Sequence, residues 1–277
     1  MSTPKEPHFF STDLRNTLWI RDRSEYLRLF DAARQEHLAV GEASASYLYS
    51  DRAATGIKQC VPDARLIVMV RDPVDLFRST HNQWVASLLE DEIDPERAWR
   101  LQRQRAEGRR VPKLCEEPGF LMYSPVCRLG QQLRRLLDVF PEDQIHVVVF
   151  DDLKRDARRV YGDVLTFLRL PDDGRTEFPR VHAAHRWRLP FVRRLDHRLS
   201  VRLRSPHARW LRRATALVRP IGRFMLRVNR APSLPSQLRL GFREELVEHF
   251  RSDVTLLEGC TGRDLSHWKS LRDNDNR

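Results

Sequence analysis

Residues 65–82 read RLIVMVRDPVDLFRSTHN, and this stretch decides the fold. The apolar run Leu66 to Val70 is rich in β-branched residues and is bounded by a turn signal, which predicts a buried parallel strand. It ends in Arg71. Asp72-Pro73 follows, an N-capping residue and then a residue suited to a first helical turn. The next helix carries Ser79, eight residues after Arg71. A strand that delivers an arginine to the carboxyl edge of a sheet, beside a helix N-terminus, builds an anion site. Arg71 forks onto a phosphate in this arrangement, and Ser79 donates a hydroxyl from two turns along the helix. The competing reading is a strand end whose arginine pairs with Asp72 or Asp75.

Working outward, strands and helices alternate. Ser24 caps a helical pattern through about Arg34, Leu38 to Gly41 reads as a short strand, and Asp51 to Cys60 as a helix. The helix after Pro73 extends to about Leu89, and another runs from Glu96 to Arg105. Arg128 to Phe140 is strongly periodic, with Leu129, Leu133, Leu136 and Leu137 on one face. Ile145 to Phe150 is the next strand, and Asp152 to Leu168 the helix that packs on it. Gln237 to Phe250 reads as a last amphipathic helix, with a further turn or two at Asp253 to Glu258. The pattern predicts an α/β fold with a parallel sheet and helices on both faces. Three regions are expected: a core over 1–180, an arginine-rich helical segment over 181–235, and C-terminal helices over 236–277 that pack back on the core.

The bulk properties narrow the function classes. The chain has 277 residues, 41% of them hydrophobic, and a net charge of +11. That length suits one large α/β domain with a helical extension. No apolar run is long enough to span a membrane and no signal peptide is visible, so a cytoplasmic protein is expected. Cys60, Cys115, Cys127 and Cys260 show no metal-ligand spacing and read as reduced thiols; no metal is expected. The charge is concentrated. Residues 180–230 hold 15 Arg and one Asp, with no Lys or Glu, while the rest of the chain is slightly acidic. An acidic glycan, an anionic membrane surface or nucleic acid could answer to it, nucleic acid being set lowest.

Further motifs stand in a fixed order. Lys5-Glu6-Pro7-His8-Phe9-Phe10 lies near the N-terminus, and Gly41-Glu42-Ala43-Ser44-Ala45-Ser46-Tyr47-Leu48 precedes the Arg71 strand. Val147 to Leu153 follows, then the helix ending at Leu168, and Gly262 to Trp268 closes the chain. Together these resemble the sulfotransferases that use 3'-phosphoadenosine 5'-phosphosulfate (PAPS), in particular the bacterial branch similar to heparan-type enzymes. The resemblance covers about residues 5–170 and 236–268. It implies a P-loop-NTPase-like three-layer fold, PAPS as co-substrate and transfer of a sulfuryl group to a hydroxyl of an O-linked, carbohydrate-like acceptor.

The resemblance also assigns residues. Glu6 takes the place of the acceptor-activating base, His8 orients it or shares its proton traffic, and Lys5 meets charge on the sulfuryl group. Arg71 and Ser79 hold the 3'-phosphate. Arg186 and Arg188 fall near a loop that closes over that phosphate. Ala43 stands where many relatives carry Lys. Asp152 reads as a helix N-cap, and His267-Trp268 as packing for the last helix. One family feature is missing from the sequence: a first strand and a Gly-rich loop with a lysine, which cradle the 5'-phosphosulfate. The expectation is therefore a poor or inactive enzyme, with a groove or two open edges where that strand would lie. A homologue that binds only the product PAP, and a basic membrane-surface or nucleic-acid-binding protein, are the alternatives.

Overall fold

The structure is a computed structural model that describes residues 2, 5–14, 20–115, 117–179, 185–187, 230–232 and 237–271. The Arg71 strand forms as expected: β1 spans Leu66–Val70. It pairs in parallel with β2, Ile145–Val149, in a register that runs from Leu66 opposite Ile145 to Val70 opposite Val149. The pairing is direct, so no groove separates the two strands; among the described residues the sheet has these two strands alone, and each keeps an unpaired outer edge. Their connection contains α3 (Pro73–Ser87), α4 (Pro95–Arg100), α5 (Gln102–Ala106), α6 (Tyr123–Cys127) and α7 (Leu129–Leu137). Before β1 lie α1 (Arg23–Arg28) and α2 (Ala53–Cys60).

Helices cover one face of the sheet at both strands and the other at β2. Val68 and Val70 of β1 and Val149 of β2 join Leu133, Leu136, Phe140, Val254, Leu257 and Trp268 in one core. Each fully buried aliphatic or aromatic side chain of this kind contributes about 1.5–3 kcal/mol. The opposite face is covered at β2, where His146 stacks on Phe167 of α9 (Ala157–Leu168). At β1 that face is open: Ile67 and Met69 are 46% and 51% exposed. The strand was expected to be buried throughout, and it is buried on one side only. A second core gathers Val74, Phe77, Trp99, Tyr123, Phe242 and Phe250, and a third packs Phe10, Tyr26 and Ala53 near the N-terminus.

Several element boundaries differ from the sequence expectation. No strand forms at Leu38 to Gly41, where Leu38 is 72% exposed. The backbone there is engaged by the N-terminal segment: Ser2 N–H donates to the Gly41 carbonyl at 3.0 Å and Glu6 N–H to the Ala43 carbonyl at 3.2 Å. The first helix is capped by Asp22, which accepts Glu25 N–H, and ends at Arg28. The Glu96 to Arg105 helix is divided into α4 and α5 at Leu101. The helix after β2 is also divided, into α8 (Phe150–Arg155) and α9. Asp156 is the cap between them, accepting Arg159 N–H at 2.9 Å. Asp152 is not a cap: its buried carboxylate is taken by Arg155 and Arg263 at 3.0 and 2.6 Å.

The C-terminal helix is longer than expected. A single helix, Leu240–Thr261, absorbs the predicted turn at Asp253 to Glu258. It packs along α7 and against the closing turn Ser266–Lys269. Most of the arginine-rich segment lies outside the described residues. Its described parts are strands, β3 (His185–Trp187) and β4 (Arg230–Pro232), paired antiparallel and separate from the β1–β2 sheet. The expectation of helix is corrected at those two ends, where cross-strand pairing satisfies the backbone. Among the described residues no helix is long and apolar enough to cross a membrane.

Candidate active site

The carboxyl ends of β1 and β2 form the first half of the site. Val70 pairs with Val149, so the next residues, Arg71 and Phe150, stand side by side. The Arg71 guanidinium lies 5.0 Å from the centre of the Phe150 ring. Its Nε is buried and has no hydrogen-bond partner among the described residues. Burial lowers the Arg71 pKa from its ordinary value, and the charges of Asp75, Asp72 and Asp151 work against that shift. Arginine stays protonated regardless. A buried guanidinium N–H without an acceptor is a donor awaiting an anion, and its fork suits a phosphate.

The helix N-terminus beside Arg71 is already occupied. Asp72 Oδ1 accepts the N–H groups of Val74 and Asp75 at 2.8 and 3.3 Å. Burial, and then repulsion from Asp75, raise the Asp72 pKa. Those two amides are therefore already engaged, so an anion at this end of β1 would have to be met by side chains. Arg78 pairs with Asp75 at 3.1 Å. Neither Asp72 nor Asp75 forms an ion pair with Arg71, so the competing reading of a simple strand-end pair is not what the structure holds. Ser79 lies on exposed surface of α3. It follows Asp75 by one turn, i to i+4, and so shares the helix face of the carboxylate that acts on Arg71.

The second half of the site is the N-terminal segment seated on the loop before α2. Glu6 and His8 both adopt left-handed backbone, with φ of 55° and 53°. Non-glycine residues hold that conformation at a cost of about 1–3 kcal/mol, and they do so where surroundings fix them. The fixing groups are clear. His8 N–H donates to Ser44 Oγ at 3.0 Å, and His8 Nδ1 lies 2.6 Å from Ser46 Oγ. Ser46 Oγ in turn lies 2.8 Å from Ser11 Oγ. His8 Nε2 lies 3.6 Å from the Glu6 carboxylate, whose side chain is 58% exposed. Phe9 stacks on Tyr26 with centroids 4.3 Å apart, and Phe10 is buried against both. The terminus is thus anchored, with Glu6 facing solvent. Lys5 is exposed beside it.

Glu42 is the hub of the loop and was not assigned a role from sequence. Its carboxylate accepts the hydroxyls of Tyr47, Tyr26 at 3.3 Å and Ser44 at 3.0 Å. Burial, reinforced by Glu42, pushes both tyrosine pKa values far up, so they serve as fixed donors. Phe150 was missed too; its position follows from strand register. Asp151 accepts Trp268 Nε1–H at 2.9 Å and ties the closing turn to the end of β2. The pKa of Asp151 is lowered: burial opposes this, and the bonds from Trp268 and His267 outweigh it. Arg186 belongs to β3, which lies against α3, but its side chain is outside the described set; Arg188 lies outside the described residues. Among the described residues no group of His, Cys, Asp and Glu is arranged to hold a metal ion.

The family model described as "Sulfotransferase domain" matches residues 12–183. The chain belongs to the sulfotransferase domain family. The fold is that of a bacterial sulfotransferase from Alicyclobacillus acidocaldarius, whose crystal structure superposes with a TM-score of 0.67. That protein is 26% identical, and the match covers 97% of this chain and 87% of the other. A search of curated proteins finds no match. The sulfotransferase fold is P-loop-like, and the parallel β1–β2 pair accords with it.

Proposed function

We propose that this sulfotransferase takes PAPS as donor and a hydroxyl, of carbohydrate type, as acceptor. The observation that carries the donor assignment is the buried, unpartnered Nε of Arg71 at the end of β1. Arg71 binds the 3'-phosphate through its fork, with Ser79 as a hydroxyl donor on the same side of α3. Arg186 and Arg188 are the candidates that the family resemblance gives to close over that phosphate. PAP, the product, carries the same 3'-phosphate and binds the same residues.

The acceptor half rests on Glu6. Its carboxylate is solvent-facing, on backbone held by Ala43, and His8 stands beside it. In the transfer, the acceptor oxygen forms a bond to sulfur as the bond from sulfur to the 5'-phosphate oxygen breaks. PAP leaves with that oxygen, and the acceptor proton goes to Glu6. A positioned base of this kind contributes roughly 100- to 10,000-fold in rate. Lys5, exposed next to Glu6, is the candidate to meet charge on the sulfuryl oxygens.

The test is transfer of labelled sulfate from PAPS to a panel of sugars and polysaccharides, by the wild type and Glu6→Gln. The expected result is slow turnover on a hydroxyl acceptor, in keeping with the poor enzyme expected from the sequence, that Glu6→Gln lowers further by about 100-fold. Equal turnover by both proteins excludes Glu6 as base. PAP binding without turnover on any acceptor marks a nucleotide-binding homologue instead.

A further inference from the structure

The hydroxyls beneath His8 form a chain whose proton direction can be worked out. Ser11 is fully buried and Ser46 is 5% exposed. Among the described residues, the Ser11 hydroxyl has the Ser46 hydroxyl as its side-chain partner, at 2.8 Å. Suppose Ser46 donated to Ser11. The Ser11 proton would then be buried with no acceptor, which folded proteins avoid. The opposite direction leaves no proton stranded. Ser11 donates to Ser46, and Ser46 donates to His8 Nδ1 at 2.6 Å. Nδ1 is then the bare, accepting nitrogen. The proton of neutral His8 sits on Nε2, the nitrogen that faces the Glu6 carboxylate at 3.6 Å.

We infer that Ser46, backed by Ser11, is a positioning residue that fixes the tautomer of His8 and turns its Nε2–H toward Glu6. The backbone supports the same end. His8 N–H donates to Ser44 Oγ, and the Ser44 hydroxyl donates to Glu42 Oε2 at 3.0 Å. Two serines two residues apart therefore hold His8 at separate points, one by its backbone and one by its ring. A histidine held this way presents a fixed donor toward the carboxylate, which keeps Glu6 oriented. The catalytic consequence rests on Glu6 being the base, as proposed above; the tautomer itself does not.

The experiment is nitrogen-15 NMR of the full chain labelled at histidine, with the His8 signals assigned by comparison with His8→Gln. The wild type is expected to show unprotonated Nδ1 and protonated Nε2 at a pH where the ring is neutral. Ser46→Ala should shift His8 toward a tautomer mixture, and Ser46→Thr, which keeps the hydroxyl, should restore it. PAP affinity should be unchanged in both variants. Ser46→Ala should also lower kcat by part of the roughly 100-fold or more that a positioned base contributes, with KM for PAPS unaffected. A wild-type His8 protonated at Nδ1, or a Ser46→Ala protein with an unchanged tautomer, overturns the inference. Glu6→Gln separates the two claims. If it abolishes transfer while Ser46→Ala leaves the tautomer and kcat intact, the base stands and the positioning role falls. If it leaves transfer intact, the base falls, and the tautomer still decides the role of Ser46.

Discussion

The guanidinium of Arg71 rests 5.0 Å from the centre of the Phe150 ring, each residue being the first beyond the end of its strand. Parallel pairing of Val70 with Val149 fixes that contact. The ring gives the buried cation a favourable face without consuming its N–H donors. Phe150→Leu should therefore weaken PAP binding by about 0.5–2 kcal/mol, the scale of a cation–π contact. Calorimetric titration measures this directly. An unchanged affinity would show that Asp75, Asp72 and Asp151 suffice to hold the arginine.

A second prediction concerns acid stability. Glu90 and Arg105 form a fully buried fork, with contacts of 2.7 and 2.6 Å, and Tyr123 donates to the same carboxylate at 2.6 Å. Burial alone would raise the Glu90 pKa, yet these bonds outweigh it and hold it below its ordinary 4.5. A depressed carboxylate contributes stability that is present in full above the unfolded value and lost as pH falls through the folded one. Melting temperature should thus decline below about pH 4.5 in part through Glu90. Glu90→Gln should remove that share of the pH dependence and cost about 3–5 kcal/mol at neutral pH, because Arg105 is left buried without a counter-charge. Thermal melts of both proteins across pH 3–7 test the sign and the size.

The third prediction sits where α7 meets the C-terminal helix. Asp253 accepts the N–H groups of Gly130 and Gln131 at 2.9 Å each, capping a helix far from it in sequence. The helices approach so closely that a Cβ on Gly130 would lie 2.3 Å from the Asp253 carbonyl oxygen. Alanine in a helix normally stabilises relative to glycine by roughly 0.5–1 kcal/mol. Here Gly130→Ala should instead destabilise by about 1–3 kcal/mol, and Asp253→Ala by about 0.5–2 kcal/mol. Denaturant unfolding distinguishes these signs.

The parts of the fold that announce themselves locally were legible in the sequence. The β-branched run ending in Arg71, with Asp72-Pro73 behind it, encodes its own strand, turn and helix start. The leucines from Leu129 to Leu137 likewise mark α7 by their spacing. What sequence could not show was set by partners distant along the chain. Leu38 to Gly41 has strand composition, but the Gly41 carbonyl is bonded by Ser2 and the neighbouring Ala43 carbonyl by Glu6. Asp152 sits where a cap belongs, but Arg263 takes its carboxylate and Asp156 caps α9. Within the site, Arg71, Glu6 and His8 stand in motifs. Phe150 and Glu42 stand in motifs too, but their contacts come from strand register and loop closure, which the motifs alone do not specify. The arginine count located a segment, and its described ends turned out to be a strand pair.

The most direct measurement of the central claim is calorimetric titration of PAP into the wild type, Arg71→Ala and Ser79→Ala. The account predicts saturable one-site binding to the wild type. Arg71→Ala should lose about 1.5–3 kcal/mol, the scale of a charged hydrogen bond, and Ser79→Ala about 0.5–1.5 kcal/mol. Adenosine 5'-phosphate, which lacks the 3'-phosphate, should bind the wild type more weakly and be indifferent to Arg71→Ala. Wild-type affinity for PAP retained in Arg71→Ala would contradict the assignment of the β1 carboxyl end as the 3'-phosphate site.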